Sequence, residues 1–224
     1  MPKDFVGDTK AWLKSNNWLR FRTIAKTIVF GIAYGRGAAA VRQAVYLEGV
    51  EITVDEAQTA IDRFNETFPD LAAWLAVQQA SVQQIGYVTN GFGRRRRFGA
   101  TGDNETLAHQ KRQAMNAPIQ GTVGDLMSLA LCNLYCIREY ERPHLKFKIL
   151  MSVHDQILLT CPIDQVAETM EVFGLAMCDR CKIPNYDLTL QAEPDVCLRW
   201  GKELTQADVD KYPALTPYLK QKKA

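Results

Sequence analysis

The sequence lacks any apolar stretch long enough to cross a membrane. A membrane-spanning helix needs about 18 consecutive apolar residues, but the longest apolar run here, residues 27–34, is short and is interrupted by Gly31. No apolar core of the kind found in a secretory signal peptide follows Met1–Asp4. We therefore expect no membrane contact and a cytoplasmic location.

Histidine is scarce, and the cysteines do not form a metal-binding pattern. The chain has six cysteines and three histidines, and only Cys178 and Cys181 stand at C-x-x-C spacing. A zinc site would need a second half, which neither the other cysteines nor the histidines supply at ligand spacing. A cytosolic chain of 224 residues does not need disulfides for stability, so ordinary reduced thiols are expected.

The net charge of +2 conceals an uneven distribution. Residues 20–42 contain five basic residues and no acid, whereas residues 43–85 contain seven acids and Arg63 as their only basic residue. A second basic stretch, residues 86–116, includes Arg94–Arg97. Polyanions bind polarised surfaces of this kind, although a charge run alone is equally typical of a solvated face.

Hydrophobic periodicity predicts an α+β protein. The first half is mostly helical, with helices over 18–34, 37–47, a segment beginning at Thr53, and 71–84, followed by a hairpin over 86–98. The second half has a long helix over 107–138, strands over 147–153 and 157–161, a helix over 166–181 and a last strand over 188–197. The coarse division is a lead-in (1–19), a helical region with a hairpin (20–105), a sheet-containing region (106–203) and a polar tail (204–224).

The first functional pattern comprises Arg22, Lys26, Phe30 and Tyr34, with Gly35 directly after them. Each step of four residues advances about 40° around a helix, so these side chains form a slow spiral along one side. Arginine and lysine in such an arrangement can bind a triphosphate, and the aromatic rings can stack on a base or sugar. An amphipathic helix with an aromatic core side is the plainer alternative.

Two further patterns follow. Arg112, Asn116 and Gln120 share one side of the long helix and suit contacts with phosphates and minor-groove edges. His154, Asp155 and Gln156 join two apolar strands, where a rigidly held carboxylate is a good ligand for Mg²⁺. A solvated helix face and an ordinary turn aspartate are the respective alternatives.

Together these patterns resemble the C-terminal part of family A (bacterial DNA polymerase I-like) DNA polymerases. Arg22–Gly35 is similar to motif B on the fingers helix, Val153–Gln156 resembles motif C in the palm, and Arg112–Thr122 resembles the helix that follows the primer–template minor groove. The hairpin Gly86–Arg95 also matches the family. The resemblance covers about residues 20–200 and implies helical fingers plus part of an antiparallel palm sheet with packed helices.

The resemblance implies a role for each matching residue. Arg22 and Lys26 would contact the triphosphate of an incoming dNTP, Phe30 would lie near its sugar, and Tyr34 would lie near the templating position. His154 would contact the triphosphate or the primer end, and Asp155 would be one of two carboxylates that hold Mg²⁺. The residues that would contact primer–template DNA are Arg94, Arg95, Arg112, Asn116 and Gln120.

Two departures from the family pattern stand out. Position 156 is Gln where motif C usually has Glu, and no motif A aspartate of the Asp-Tyr-Ser type precedes Arg22. We therefore expect an isolated chain to be inactive or incomplete. A phage-like split polymerase would be completed by a polypeptide that carries motif A, the thumb and possibly an exonuclease. A truncated gene is the other origin.

Two other functions remain open on the sequence alone. A catalytically inactive DNA-binding remnant would keep the basic stretches and lose the metal chemistry. A phage-type single-subunit RNA polymerase shares the Arg-x3-Lys and Tyr-Gly spacings, although Phe30 and residues 116–122 fit the DNA polymerases better.

Overall fold

The computed structural model describes residues 18–188 and 190–219. Helices and two antiparallel two-stranded sheets confirm the predicted α+β class. Unit 1 comprises the described residues up to Asn90 together with Arg95–Ile119, and unit 2 comprises Gly91–Arg94 together with the described residues from Gln120 onward. The division predicted near residue 105 falls inside unit 1. Among the described residues, no helix has both the length and the apolarity to cross a membrane.

Unit 1 begins with four helices whose apolar sides form one core. They are α1 (Leu19–Ala33), α2 (Ala38–Leu47), α3 (Val54–Thr67) and α4 (Pro69–Gln84). Val41, Val45 and Ala57 are fully buried, and Ile24 and Ile28 of α1 pack against them. Because one side of α1 is held in this core, its opposite side is left facing outward.

Local sequence signals set the ends of these helices. The Thr53 hydroxyl accepts a hydrogen bond from the Glu56 amide at 3.1 Å, and the Glu56 carboxylate accepts one from the Thr53 amide at 2.7 Å. This reciprocal capping box confirms the predicted start of α3. Helix α4 begins at Pro69, where proline is tolerated because a first-turn amide has no helical partner.

A short hairpin and a long helix complete unit 1 and lead into unit 2. Strand β1 (Tyr87–Thr89) pairs with β2 (Arg95–Arg97) inside the hairpin predicted over 86–98, and residues 90–94 connect the two strands. Helix α5 (Asn104–Cys136) contains Pro118, as predicted, and continues into a π-helical turn, Ile137–Glu141.

Unit 2 packs a hairpin against helices. Its elements are β3 (Lys148–Val153), β4 (Gln156–Thr160), α6 (Val166–Gly174) and α7 (Gln206–Lys211), with β3 and β4 antiparallel. Leu134, Phe147 and Val172 are buried at its centre, and Ile149 and Ile157 of the two strands pack against them. This packing fixes the turn between β3 and β4 at one end of the hairpin.

Two predictions for the C-terminal part are wrong. The described residues of the segment 188–197 form no strand, because no other strand pairs with them and Pro194 has no amide to donate. Residues 204–219 are folded rather than a polar tail, because Leu204, Val209 and Leu215 are buried with Val166. The lead-in over 1–17 and the tail beyond 219 lie outside the described residues.

Candidate functional site

The four side chains of the first pattern do share one side of α1. Arg22 and Lys26 are exposed, and the ammonium group of Lys26 lies 5.4 Å from the centroid of the Phe30 ring. The Phe30 and Tyr34 rings are stacked, with centroids 5.9 Å apart and planes 22° apart. The result is a continuous surface with two cations at one end and two aromatic rings at the other. Phe30 is 46% exposed, so its ring is accessible to a ligand.

Gly35 ends this helix in a conformation that other residues adopt with strain. Its φ is 70°, its amide donates to the Ile32 carbonyl, and the Arg36 amide donates to the Gly31 carbonyl, each at 2.8 Å. These two bonds form a Schellman motif, for which glycine is preferred. A Cβ on Gly35 would also lie 1.9 Å from the Met115 Cε. Both conditions place Tyr34 at the end of α1 and require glycine after it.

A cavity of about 650 Å³ lies beside this turn within unit 1. It is lined by the cations Arg36 and Lys111, by amide side chains including Gln58 and Gln79, and by apolar residues; none of its lining residues is acidic. Sequence reasoning missed this cavity because its walls come from four helices and the turn 35–37, which are far apart in the sequence. The only sequence signal is the position of Arg36 and Lys111 within the two basic stretches.

Helix α5 carries the three residues of the second pattern, and their exposure to solvent differs. Arg112 and Gln120 are exposed, whereas Asn116 is half-buried. The Asn116 amide nitrogen donates to the Arg112 carbonyl at 3.3 Å, but its Oδ1 is buried without a hydrogen-bond partner. An unpaired buried acceptor costs stability, and a ligand could reach this oxygen only after the side chain changes its rotamer.

The arginines of the first hairpin make defined contacts. In unit 2, Arg94 forms an ion pair with Asp125 at 2.7 Å. This hydrogen-bonded carboxylate raises the pKa of Arg94. In unit 1, the Arg95 guanidinium lies 4.6 Å from the centroid of the Tyr87 ring, and Arg96 donates to Gln113 at 2.9 Å. Arg94 is therefore paired with a protein carboxylate, although its side chain, like those of Arg95 and Arg97, is exposed.

His154 and Asp155 form the two-residue turn between β3 and β4. Gln156 belongs to β4, because it pairs with Val153. His154 has a φ of 55°, a left-handed conformation that few non-glycine residues adopt and that is often found at functional sites. Asp155 is exposed, so a rigid hairpin presents its carboxylate to solvent. Mg²⁺ accepts such an oxygen ligand together with phosphates and water. Among the described residues, no cluster of three His, Cys, Asp or Glu side chains could hold a metal ion, so Asp155 fits as one ligand and not as a complete site.

The fold resembles that of a solved polymerase. The structure titled as the POL domain of Pol1 from M. smegmatis, in complex with DNA primer-template and dNTP, has a TM-score of 0.67 and covers 76% of this chain and 29% of that one. At 24% identity this likeness concerns the fold alone.

The sequence comparisons establish the family. The profile of DNA polymerase family A matches residues 14–202, and this chain belongs to that family. DNA polymerase I of Chloroflexus aurantiacus is 36% identical over 148 residues, which cover 65% of this chain and 15% of that protein. The thermostable DNA polymerase I of Thermus filiformis is 30% identical over 209 residues, which cover 88% of this chain and 23% of that protein. The DNA polymerase of Bacillus phage SP01 is 35% identical over 151 residues, which cover 66% of this chain and 16% of that protein. The chain thus spans less than a quarter of each of these three relatives.

Proposed function

We propose that this chain takes part in template-directed DNA synthesis, the transfer of a dNTP to a primer 3′-hydroxyl. The observation that carries the proposal is the surface of α1, where the Lys26 cation and the Phe30 and Tyr34 rings follow one another without interruption. A dNTP has the same sequence of features, with a polyanion at one end and a sugar and base at the other. Membership of DNA polymerase family A supports this assignment.

Each of the four side chains on the α1 surface has a role in this proposal. Arg22 provides a forked donor and Lys26 a compact charge for the triphosphate oxygens. Phe30 packs against the sugar, and Tyr34 lies beside the templating base. Because Ile24 and Ile28 anchor the other side of the helix in the core, the backbone that carries these four side chains is held in position before the ligand arrives.

DNA would be held by cations and amides of α5 and the first hairpin. Arg112, Asn116 and Gln120 would contact the primer and template strands, and Arg95 would contact phosphates. The support for this role is strongest at Arg112 and Gln120, which are exposed and suit contacts with phosphates and base edges. The set Arg112, Asn116 and Gln120 includes no acidic residue.

Asp155 is the residue that would hold Mg²⁺, and His154 beside it would contact the triphosphate or the primer end. When bound, Mg²⁺ stabilises negative charge on the reacting phosphate oxygens. A two-ion site needs a second carboxylate, which we propose comes from polypeptide outside the described residues. A partner polypeptide with motif A, the thumb and possibly an exonuclease would supply it.

A second candidate is a catalytically inactive DNA-binding remnant. The observation that favours it is Gln156, which replaces the acidic residue usual at the end of motif C and lowers the negative charge beside Asp155. This candidate predicts DNA binding without extension under any condition.

Primer extension tests these candidates directly. The purified chain is assayed with Mg²⁺ and a primer–template, alone and with a polypeptide that carries a family A motif A strand and thumb, using dNTPs or rNTPs. We expect DNA binding in both samples and extension with dNTPs only in the mixture. Extension by the chain alone would contradict the shared metal site. DNA binding without extension in the mixture would favour the remnant, and preferential use of rNTPs would favour the RNA polymerase alternative.

A further inference from the structure

Helix α5 has an intrinsically weak segment immediately around Gln120. Pro118, Gly121 and Gly124 all lie within seven consecutive positions of a continuous helix. Proline and glycine are the poorest helix formers, and Pro118 also removes a backbone hydrogen bond. Contacts from outside the helix are therefore needed to keep this segment regular.

The turn Gly91–Arg94 supplies such contacts. The Gly91 amide donates to the Thr122 hydroxyl at 2.8 Å. The Arg94 Nε donates to Asp125 Oδ1 at 3.0 Å and to Oδ2 at 3.1 Å, while Nη2 lies 2.7 Å from Oδ1. The two contacts are three residues apart on α5 and thus span one helical turn directly after Gln120.

The turn is closely packed, so that a side chain larger than that of glycine does not fit at position 91. A Cβ on Gly91 would lie 2.7 Å from the Ile183 Cγ2 and 3.2 Å from the Thr122 side chain. The Asp125 side chain is only 13% exposed, whereas that of Arg94 is 74% exposed. Arg94 therefore covers a largely buried carboxylate, which would lose its cationic partner if Arg94 were removed.

We propose that Gly91–Arg94 is a clamp on α5 and that Arg94 is a positioning residue, which acts through Asp125 to keep the Pro118–Gly124 segment helical and Gln120 in place for DNA. The DNA part of this inference rests on the proposed function. The clamp differs from the direct phosphate contact that the sequence predicts for Arg94. The two roles make opposite predictions for Asp125→Asn, since this variant frees Arg94 for phosphate but disables the clamp.

The first measurement is the affinity for primer–template DNA of Arg94→Ala, Asp125→Asn, Gln120→Ala and the pairwise combinations. The clamp predicts that Arg94→Ala and Asp125→Asn each weaken binding by about fivefold. It also predicts that neither adds a further loss once Gln120 is Ala, because both act through that residue. The exchanged pair Arg94→Asp with Asp125→Arg should recover part of the loss. If Asp125→Asn leaves binding unchanged or tightens it while Arg94→Ala weakens it, Arg94 contacts phosphate directly and the clamp is wrong.

The second measurement does not depend on DNA. Amide hydrogen exchange of residues 119–126 should accelerate in Arg94→Ala and Asp125→Asn, while exchange in β3 and β4 stays unchanged. Arg97→Ala is the matched control, because the side chain of this exposed arginine in the same hairpin makes no hydrogen bond or ion pair among the described residues, and the variant should leave exchange at 119–126 unaltered. Unchanged exchange at 119–126 in Arg94→Ala would overturn the clamp. Accelerated exchange in a protein that binds no DNA would instead keep the clamp and reject the proposed function.

Discussion

The ammonium group of Lys26 lies 5.4 Å from the centroid of the Phe30 ring, one helical turn further along α1. A cation at this distance is attracted by the electron-rich ring face, so Phe30 restrains the lysine on the outward side of the helix. The stacked Tyr34 ring restrains Phe30 in turn. The charged and aromatic halves of this surface are therefore coupled, so a substitution in one half should alter the side-chain positions in the other.

Lys26→Ala should weaken dNTP use far more than DNA binding in any active assembly. The loss of a charge-assisted contact costs about 1.5–3 kcal/mol, which corresponds to about a 10- to 150-fold loss in dNTP affinity. Steady-state kinetics with varied dNTP and a separate DNA-binding titration give the two effects. Lys202→Ala, which removes an exposed lysine far along the chain, should change neither. Equal losses for DNA and dNTP would show that Lys26 does not bind the triphosphate.

Gly35→Ala should destabilise unit 1 by about 1–2 kcal/mol through the backbone alone, because alanine is strained at a φ of 70°. The collision with Met115 adds to this loss. Urea unfolding measures the total, and Gly35→Ala made in a Met115→Ala background should cost only the backbone part relative to Met115→Ala alone, since the colliding atom is then absent. Gly102→Ala is the control, since no atom lies within 4 Å of a Cβ there, and its effect should stay within about 0.5 kcal/mol.

The stability of unit 2 should fall in acid through Glu141. Arg180 donates two hydrogen bonds to this carboxylate, at 2.6 and 2.7 Å, and these lower the pKa of Glu141 below its ordinary value of 4.5. A carboxyl group with a lowered folded-state pKa stabilises the fold above its unfolded pKa and loses that contribution as the pH falls through the folded value. Glu141→Gln should therefore be less stable than the wild type at pH 7, and the difference should vanish in acid. Denaturant titrations at both pH values measure it; a constant difference would mean that charge is not the cause.

The parts of the fold that sequence reasoning predicted are those set by local signals. The helix start at Thr53 and the helix end before Gly35 depend on residues within one turn of each other, so the sequence alone predicts them. The α1 surface was predictable for the same reason, since helical spacing alone places Lys26 beside Phe30.

The parts that were missed depend on distant partners. Residues 188–197 have strand-like composition, but a strand forms only where another strand accepts its hydrogen bonds. Leu215 lies in a short segment between Pro213 and Pro217 yet is buried in one cluster with Val166, an association that no local pattern reveals. The ion pair of Arg94 with Asp125 joins residues 31 positions apart and likewise gives no signal in spacing.

DNA binding by the chain should fall steeply with added salt and show no sequence preference. Each phosphate contact releases counterions and contributes about 0.9 to the slope of log K against log salt. Arg112→Ala should reduce the magnitude of that slope by about 0.9, the contribution of one phosphate contact. Arg63→Ala, an exposed arginine within the acidic stretch 43–85, should leave the slope unchanged. An affinity independent of salt would exclude phosphate contacts as its source.

The metal assignment makes the sharpest distinction between neighbouring residues. In an assembly that extends primers with Mg²⁺, Asp155→Ala should abolish extension, because a two-ion site needs both of its carboxylates to hold the charge that stabilises the attacking and leaving oxygens. Gln156→Glu should largely retain activity, since residue 156 lies in β4 beside the turn and the change adds charge without removing a ligand. The assay is single-turnover extension at several Mg²⁺ concentrations, with DNA affinity measured in parallel to show that both variants still bind. Activity that persists in Asp155→Ala would falsify the assignment of this turn to motif C, whereas a loss in Gln156→Glu as large as that in Asp155→Ala would show that the amide of Gln156 is itself required at the site.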